Sequence, residues 1–513
     1  MLVRAVTTAA ARPGTLALVA LPLLKLLVHL AAGEGYGYHR DELYYLACAD
    51  HLDWGYVDHP PFAIVVLAAT RSVLGDSVAA IRLVPAVVGA LTVLLAGLMA
   101  RRLGGGPFAQ ALAMTAVLTA PFYLSLDQYF SMNAFDILVW GLAAYLLLRI
   151  LRGGSPRLWL LLGILLGIGL QNKISVLWLA MGLLVGLLLT PQRSVFRTRW
   201  PWLAAAIALV LFAPHVLWQV RHGWPTVEFA ANATAHKLVA MPPRGFLRAQ
   251  LEGMLVFAAP VWVAGILFYL LLRAGQGLRA LGWAYLAVFA FLALSGNSRA
   301  AYLAPAYTWL LPAGGVAIEG GLARVGNWAR AGILVILVAG GLLASSFALP
   351  LLPESTLAAL MRRQDHRRVE ERFGVGALPE FLSHMCGWDE IVESLVSVYG
   401  QLPREERERA GILAPNYGVA AAIDVIGRHR GLPSAVSGHN NYWLWGPPVP
   451  QGNVMIVVGR TEPELREWFA EVTLATQTRC DYCMPYENQQ PVWVVRGPRL
   501  PLETLWPRLK IFM

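Results

Sequence analysis

The sequence has few charged residues and few cysteines for its length. Of its 513 residues, 14% are charged and four are cysteines, whereas a soluble domain carries about 25% charged residues. This shortage of charge excludes one large soluble enzyme. It also excludes an intrinsically disordered chain, which combines high charge with few apolar residues. A disulfide-dense secreted scaffold is excluded because such scaffolds are short and rich in cysteine.

Apolar sequence takes the place of charge. Hydrophobic residues make up 57% of the chain, and the mean hydropathy is +0.54. Eleven apolar stretches are candidates for crossing the roughly 30 Å of hydrocarbon in a bilayer, although 157–171 and 174–190 also allow other divisions. These stretches are residues 14–32, 79–100, 108–126, 132–149, 157–171, 174–190, 202–218, 252–273, 279–295, 300–319 and 331–352. The pattern predicts a polytopic α-helical membrane protein, with 14–32 as a retained anchor rather than a cleaved signal peptide.

The positive charge of the chain is unevenly distributed. Residues 1–352 hold 24 Lys and Arg against 12 Asp and Glu, whereas residues 353–513 hold 17 against 19. Basic residues between apolar spans set membrane orientation, so the net charge of +10 does not indicate a nucleic-acid partner. The basic loops place the N-terminus in the cytoplasm. With an odd number of spans, the long loops 33–78 and 219–251 and the domain 353–513 are predicted on the periplasmic side of the inner membrane.

Residues 353–513 have the pattern of a soluble α/β domain. Residues 453–459 and 491–496 are β-rich, and helical patterns occur near 419–430 and 462–472. Cys480 and Cys483 are spaced to close a small disulfide in an oxidising compartment, and an inert or structural pair is favoured over a redox site. A zinc site is disfavoured because no second pair of ligands is evident nearby.

Acidic residues are concentrated in the first long loop. Six of the 12 acids of residues 1–352 fall between positions 34 and 58. They are Glu34, Asp41, Glu42, Asp50, Asp53 and Asp58. Tyr, His and Trp side chains alternate with them, and His59-Pro60-Pro61 fixes the backbone that follows. We expect a short helix lying along the membrane surface, with Asp41 and Glu42 in its first turn. A functional loop is favoured over a solvated loop that happens to be acidic.

The motifs Tyr38-x-x-Asp41-Glu42-x-x-Tyr45 and Gly55-Tyr56-x-Asp58-His59-Pro60-Pro61 resemble the first outer loop of the protein O-mannosyltransferase-like family, glycosyltransferase family 39. These are polytopic GT-C enzymes that use polyprenyl-phosphate sugars, and they include the lipid A aminoarabinose transferases. Further motifs similar to the family lie at residues 81–85, 131–135, 171–175, 299–305, 416–418 and 437–440. The resemblance thus extends over nearly the whole chain.

The resemblance implies an enzyme that moves a sugar from a polyprenyl-phosphate donor to a lipid, glycan or protein acceptor. It assigns the catalytic base to Asp41, with Glu42 orienting the acceptor or replacing Asp41 as base. A base that only removes a proton gives a single displacement and inversion at the anomeric carbon. The alternative is a secondary transporter or flippase of a lipid-linked sugar, which would place charges near the membrane midplane in discontinuous helices.

Three basic residues at outer ends of spans are candidates for the donor phosphate, namely Lys173, Arg299 and Arg82. Charge inside a membrane protein is costly without an anionic partner, although pairing with Asp58 or Asp76, or snorkelling, is the alternative. The candidate substrate-binding residues are Tyr45, Asp58, His59, Asn133, Tyr302 and His236.

One position departs from the family and bears on metal use. Many relatives carry an aspartate where this chain has Asn133, so a second acidic role and any metal dependence are in doubt. Asp127 or Asp136 are candidates to compensate. No cofactor is expected to be required. A divalent metal is left open, because Asp58 and His59 alone are too few ligands to form a site.

Overall fold

The computed structural model describes residues 13–33, 35–363, 372, 374, 376–446 and 453–513, so Glu34 lies outside the described residues. The chain forms two compact units. The helical unit contains the described residues up to Gly33, with Arg82–Pro214 and Ala240–Leu351. The mixed unit contains residues 35–81, His215–Val239 and the described residues from Leu352 to Met513.

Most of the described chain is helical. In chain order the α-helices are α1 (Pro13–Ala31), α2 (Arg40–Ala49), α3 (Phe62–Leu74), α4 (Val78–Arg102), α5 (Pro107–Thr119), α6 (Pro121–Leu126), α7 (Met132–Leu151), α8 (Leu158–Asn172), α9 (Val176–Leu188), α10 (Trp200–Arg221), α11 (Pro225–Asn232), α12 (Pro243–Gly253), α13 (Ala259–Leu270), α14 (Arg279–Leu294), α15 (Tyr307–Gly321), α16 (Asn327–Ala348), α17 (Glu354–Arg362), α18 (Glu380–Ser383), α19 (Trp388–Gln401), α20 (Arg404–Arg407), α21 (Tyr417–Val425), α22 (Asn441–Trp445), α23 (Glu462–Trp468) and α24 (Leu502–Leu505). Shorter 3-10 or π segments include Ala233–Lys237 and Ala300–Ala306.

The helical unit confirms the predicted polytopic fold but not the number of eleven spans. Among the described residues, six helical segments are long and apolar enough to cross a membrane, or up to eight if each of two bent pairs counts as one span. The six are Gly14–Ala31, Val78–Arg102, Met132–Leu151, Trp200–Arg221, Arg273–Leu294 and Asn327–Ala348. Other predicted spans are shorter or broken helices.

Proline and 3-10 geometry explain two of the broken spans. The predicted stretch 108–126 divides into α5 and α6, where Pro121 starts the second helix. Proline lacks the backbone N–H that a continuing helix needs, so it favours the first turn of a new one. The stretch 300–319 begins as the 3-10 segment Ala300–Ala306 and becomes α-helical at Tyr307. Hydropathy does not distinguish these cases from one continuous helix.

A buried ion pair joins α1 to the segment after α6. The Lys25 Nζ lies 2.9 Å from the Asp127 Oδ2 and donates a hydrogen bond to the Tyr123 carbonyl at 2.8 Å. Both side chains are at most 2% exposed. Gly89 on α4 leaves room for them, because a Cβ at that position would lie 2.6 Å from the Asp127 Oδ2. Asp127 is thus engaged with Lys25.

The mixed unit contains a five-stranded mixed sheet, which confirms the predicted α/β domain. Its strands are β1 (Gly411–Ala414), β2 (Ala435–Ser437), β3 (Val454–Val458), β4 (Phe469–Gln477) and β5 (Pro491–Pro498), in the order β2-β1-β3-β5-β4. β1 pairs in parallel with β2 and β3, while β5 pairs antiparallel with β3 and β4. Residues 469–472, predicted as helix, belong to strand β4. Cys480 and Cys483 form the predicted disulfide.

The segment after α1 packs into the mixed unit. Helix α2 begins near the predicted position and contacts α3 and α21. Leu43, Tyr44 and Leu46 are each at most 1% exposed. Protein helices therefore cover its apolar side chains, and its location along the membrane surface stays a prediction. Residues 35–78 of the first predicted long loop and residues 219–239 of the second belong to the same compact unit as the sheet.

Candidate functional site

The first turn of α2 is fixed by a capping box at His39. The His39 Nδ1 accepts a hydrogen bond from the Asp41 backbone N–H at 3.1 Å, and the Glu42 carboxylate accepts one from the His39 N–H at 2.7 Å. Such reciprocal bonds satisfy backbone donors that a helix start leaves open. Glu42 is fully buried. Its observed contact is structural, and its role in orienting the acceptor or replacing Asp41 as base stays a prediction.

Asp41 lies one residue before Glu42 and remains accessible. Its side chain is 34% exposed, and its Oδ1 accepts a hydrogen bond from the Tyr417 hydroxyl at 3.1 Å. The Arg40 Nε lies 3.7 Å from the same oxygen. Asp41 therefore has a hydrogen bond and a nearby cation that fix its carboxylate while part of it faces solvent.

The Asp58 carboxylate, like that of Asp41, lies next to a tyrosine hydroxyl. The Tyr44 hydroxyl lies 3.1 Å from both the Asp58 Oδ1 and the Asn441 Oδ1, and the Asn441 oxygen also accepts the Val57 N–H at 2.7 Å. The Tyr44 and Tyr417 ring centroids are 4.6 Å apart. The structure thus brings Asp41 and Asp58 to the hydroxyl groups of two neighbouring tyrosines.

The two carboxylates have opposite pKa shifts. Removal from water raises the pKa of Asp41, but the positive charges of His39, Arg40 and Lys237, with the Tyr417 hydrogen bond, outweigh it and lower the net value. Burial raises the pKa of Asp58, and the negative charge of Asp41 raises it further. Asp41 is consequently the carboxylate that stays ionised over the wider pH range.

A cavity of about 190 Å³ adjoins Tyr417 in the mixed unit. Its lining residues are Arg40, Lys237, Pro415, Asn416, Tyr417, His439, Tyr486, Ile511 and Met513. Arg40 approaches closely because residue 418 is glycine, where a Cβ would lie 2.7 Å from the Arg40 Cγ. Neither Arg40 nor Lys237 is among the site residues predicted from the sequence. Their adjacency to the Asp41 motif and to His236 was the available signal.

None of the site residues predicted in the mixed unit is among the residues that line this cavity. Tyr45 and His59 are at most 4% exposed, and their ring centroids are 4.6 Å apart. The His59 Nδ1 donates to the Pro60 carbonyl at 3.1 Å. His236 lies in the segment Ala233–Lys237 and is exposed. Within the described ranges, no group of three or more His, Cys, Asp or Glu side chains is placed to hold a metal ion, so Asp58 and His59 lack a third such ligand.

Three predicted residues of the helical unit lie together in one cluster, namely Lys173, Asn133 and Tyr302. The Lys173 Nζ donates a hydrogen bond to the Asn133 Oδ1 at 2.7 Å and lies 5.3 Å from the centre of the Tyr302 ring. Its charge is partnered by Asp136, whose Oδ2 is 3.4 Å away. Ser175 donates to the same carboxylate at 2.8 Å. Asn133 therefore acts as a hydrogen-bond acceptor for Lys173, and Asp136 supplies the negative charge.

The other two predicted phosphate ligands have different surroundings. Arg82 is 3% exposed, and its guanidinium donates a hydrogen bond to the Gly33 carbonyl. Arg299 is partly buried and immediately precedes the 3-10 segment that carries Tyr302. Both lie in the helical unit with Lys173.

The chain is similar to one family model and to several solved structures. Residues 58–218 match the family model described as dolichyl-phosphate-mannose-protein mannosyltransferase. The chain also resembles the crystal structure of ArnT from Cupriavidus metallidurans bound to undecaprenyl phosphate, with a TM-score of 0.60, 16% identity, and coverage of 93% of this chain and 97% of that one. The apo structure of the same protein gives a TM-score of 0.60, 17% identity and the same coverage. No curated protein sequence matches this chain.

The chain has a GT-C glycosyltransferase fold. The resemblance predicted from the sequence motifs is thereby confirmed. The mannosyltransferase match covers Asp58, Asn133 and Lys173, whereas Asp41 and Tyr417 lie outside it. The residues around Asp41 are therefore assigned from the motif and the geometry of the mixed unit.

Proposed function

We propose that this protein is an integral membrane glycosyltransferase that moves a sugar from a polyprenyl-phosphate donor to a hydroxyl or similar nucleophile. The main support is the partly exposed Asp41 carboxylate, which the Tyr417 hydroxyl holds at 3.1 Å beside a cavity containing two cationic side chains. The GT-C fold and the undecaprenyl phosphate bound to the ArnT structure support the class of donor. The acceptor is a lipid, a glycan or a protein.

Asp41 is the proposed base. It removes a proton from the acceptor nucleophile while that atom forms a bond to the anomeric carbon of the sugar. The bond from this carbon to the phosphate oxygen breaks, and polyprenyl phosphate leaves with the bonding electrons. Because Asp41 takes only a proton, one displacement occurs and the anomeric configuration inverts. The lowered pKa of Asp41 keeps the carboxylate ionised at neutral pH.

We propose that the reaction takes place on the extracytoplasmic side of the cell membrane. The supporting observation is the arginine-rich set of loops on the opposite side of the predicted spans. Accessibility of single cysteines introduced into the mixed unit to a membrane-impermeant thiol reagent tests this orientation. Labelling only after the membrane is opened to the cytoplasmic side would contradict it.

The activity is tested with purified protein in detergent and a labelled polyprenyl-phosphate sugar. A glycosyltransferase releases free polyprenyl phosphate and transfers the label to an acceptor. A transporter or flippase moves the same lipid across reconstituted vesicles and releases none. Movement of intact donor with no release in either preparation would overturn the proposal.

We expect Lys173→Met to raise the KM for the donor about tenfold or more with a smaller change in kcat, because a phosphate loses one charge-assisted hydrogen bond. The matched variant Lys173→Arg keeps the charge and should retain most of the affinity. An unchanged KM in Lys173→Met would assign Lys173 to structure alone. The thermal midpoints of both variants show whether the protein unfolds when Asp136 loses its ion pair with Lys173.

The pH profile of transfer is expected to follow the pKa of Asp41. Since that pKa lies below its ordinary value of about 3.9, the proposed base loses its activity only when the pH falls through this lowered value. We expect kcat/KM to have no acid limb attributable to Asp41 between about pH 5 and 7. An acid limb in that range that persists in Asp58→Asn would identify another group as the base.

A further inference from the structure

A loop closed by a disulfide contacts the start of α2 within the mixed unit. This disulfide loop, residues 480–487, contains both bonded cysteines, Cys480 and Cys483. The Cys480 N–H donates a hydrogen bond to the Asn488 Oδ1 at 3.1 Å, and the Glu487 N–H donates to the Met484 carbonyl at 2.9 Å. The loop lies outside helices and strands, so the covalent link and these hydrogen bonds fix its shape.

Tyr486 connects the disulfide loop to Arg40. The Arg40 guanidinium donates a hydrogen bond to the Tyr486 hydroxyl, and the Arg40 Nε lies 3.7 Å from the Asp41 Oδ1. Because a hydroxyl is a neutral acceptor, it orients Arg40 without cancelling the positive charge that Asp41 experiences. Burial raises the pKa of the neighbouring Glu487 to about 8, although the charge of Arg40 lowers it. Asp41 is therefore ionised beside Arg40 at pH 7, whereas Glu487 is largely protonated.

A second set of contacts connects the disulfide to Arg40. A Cβ on Gly387 would lie 2.8 Å from the Cβ atoms of both disulfide cysteines, so the Gly387 backbone packs directly on the disulfide. Gly387 has a φ of +90° and immediately precedes α19, a conformation that favours glycine. The next residue, Trp388, packs beside Arg40 over Gly418, where a Cβ would lie 3.0 Å from the Trp388 ring and 2.7 Å from the Arg40 Cγ.

The backbone at the start of α2 depends on the same region. The His384 carbonyl accepts a hydrogen bond from the Arg40 backbone N–H at 2.9 Å and another from the Trp388 indole N–H at 3.0 Å. The side chain of Arg40 is 11% exposed. Movement of the disulfide would therefore disturb both the backbone and the side chain of the residue that precedes Asp41.

We propose that the disulfide loop is a positioning element of the transfer reaction, in which Tyr486 holds Arg40 and Arg40 holds the Asp41 carboxylate. The inference rests on the proposed function because it takes Asp41 as the base. Tyr486 is a positioning residue, since its hydroxyl acts on Asp41 through Arg40. A loosened Arg40 should slow the chemical step more than it weakens donor binding, because catalysis needs the base in one defined geometry.

Tyr486→Phe removes the hydroxyl and keeps the ring. We expect kcat to fall about two- to tenfold, the effect of one hydrogen bond, while the KM for the donor changes by less than about twofold. Tyr482→Phe is the matched control. It removes a hydroxyl from the same loop, but Tyr482 lines a different cavity of about 580 Å³, and its kcat should equal that of the wild-type protein. A purely structural contact would lower the thermal midpoint without this split between kcat and KM.

Opening of the disulfide tests the loop independently of Tyr486. Dithiothreitol supplies two electrons and two protons that convert the S–S bond into two thiols, and the reagent closes to its cyclic disulfide. Cys480 lines the cavity of about 580 Å³, which gives the reagent access. We expect reduction to lower the kcat of the wild-type protein at least as much as Tyr486→Phe does, and reoxidation to restore it.

Cysteine variants identify the thiols responsible. The double variant Cys480→Ala with Cys483→Ala should have a low kcat that dithiothreitol does not change further. Cys386→Ala is the matched control, because it removes a free thiol that lines the same cavity. It should retain the full response to reduction and reoxidation.

Hydrogen exchange of the full-length protein in detergent measures the same effect without catalysis. Peptides that cover α2 should exchange faster in the double cysteine variant than in the wild-type protein, because the start of this helix loses its support. Peptides that cover α16, in the helical unit, should exchange at the wild-type rate.

The inference is overturned if α2 exchanges equally in the double cysteine variant and the wild-type protein, or if Tyr486→Phe and Tyr482→Phe have the same kcat. Failure of the proposed function gives a different result. In that case exchange of α2 responds to the disulfide, but the wild-type protein transfers no sugar from a polyprenyl-phosphate donor.

Discussion

Replacement of Asp41 by Asn is expected to reduce sugar transfer by about 10²–10⁴-fold, the contribution typical of a positioned general base. An amide accepts the Tyr417 hydrogen bond as the carboxylate does but cannot take the acceptor proton. The decrease should appear in kcat, with donor affinity changed much less. Transfer of the sugar label to the acceptor at saturating donor concentration measures it.

Asp50→Asn is the matched control for this variant. Asp50 caps the other end of α2 and pairs with Arg71 at 2.8 Å on the protein surface. The same chemical change there should leave the transfer rate within about twofold, because exposed ion pairs contribute little to stability. Equal rates for Asp41→Asn and the wild-type protein would remove Asp41 as the base.

Tyr417→Phe tests how the Tyr417 hydrogen bond affects the Asp41 carboxylate. The substitution removes the hydroxyl that donates to Asp41 but keeps the ring beside Tyr44. Loss of this hydrogen bond raises the pKa of Asp41, since the bond favours the ionised form. We expect the acid limb of kcat/KM to move toward higher pH while the rate at neutral pH falls modestly.

The position of the acidic residues was predictable because the signal is local. Asp41 and Glu42 directly precede Leu43, Leu46 and Ala47, so the signal for the start of the helix lies in a few neighbouring positions. The structure places α2 at Arg40–Ala49 with the predicted acids in its first turn. Composition alone likewise indicated a polytopic membrane protein, because hydropathy reports burial in hydrocarbon directly.

The partners of Asp41 were not predictable in the same way. Tyr417 is 376 positions away in sequence, and Lys237 belongs to a separate segment of the mixed unit. Contacts of this kind follow from tertiary packing and leave no periodic pattern in one sequence. The residue predicted from the sequence was instead His236, which is adjacent to Lys237.

The surface location predicted for α2 shows a related difficulty. Its alternating polar and apolar residues are typical of both an interfacial helix and a helix covered by a small domain. The contact with α21, which lies far away in the sequence, shows that a protein helix covers the apolar side chains of α2. Membrane-surface helices next to a soluble domain are therefore hard to assign from amphipathicity alone.

The buried pair of Lys25 and Asp127 yields the largest expected effect on stability. Replacing Asp127 by Leu leaves the Lys25 ammonium buried without its carboxylate partner, which lies 2.9 Å away. Removal of one member of such a pair costs about 3–5 kcal/mol. We expect a clear fall in the thermal midpoint in detergent and a reduced yield of folded protein. The substitution leaves the Asp41 carboxylate and its hydrogen bonds unchanged.

A double-mutant cycle separates the unpaired charge from ordinary loss of polar contacts. Lys25→Met combined with Asp127→Leu removes both charges, and we expect it to recover most of the lost stability because an apolar pair suits this buried position. Gln128→Leu is the neutral control, since Gln128 is 1% exposed and hydrogen-bonds His29 at 2.9 Å. It should cost about 1–3 kcal/mol. A double variant no more stable than Asp127→Leu alone would show that the pair stabilises the helical unit through its hydrogen bonds and geometry rather than by charge compensation.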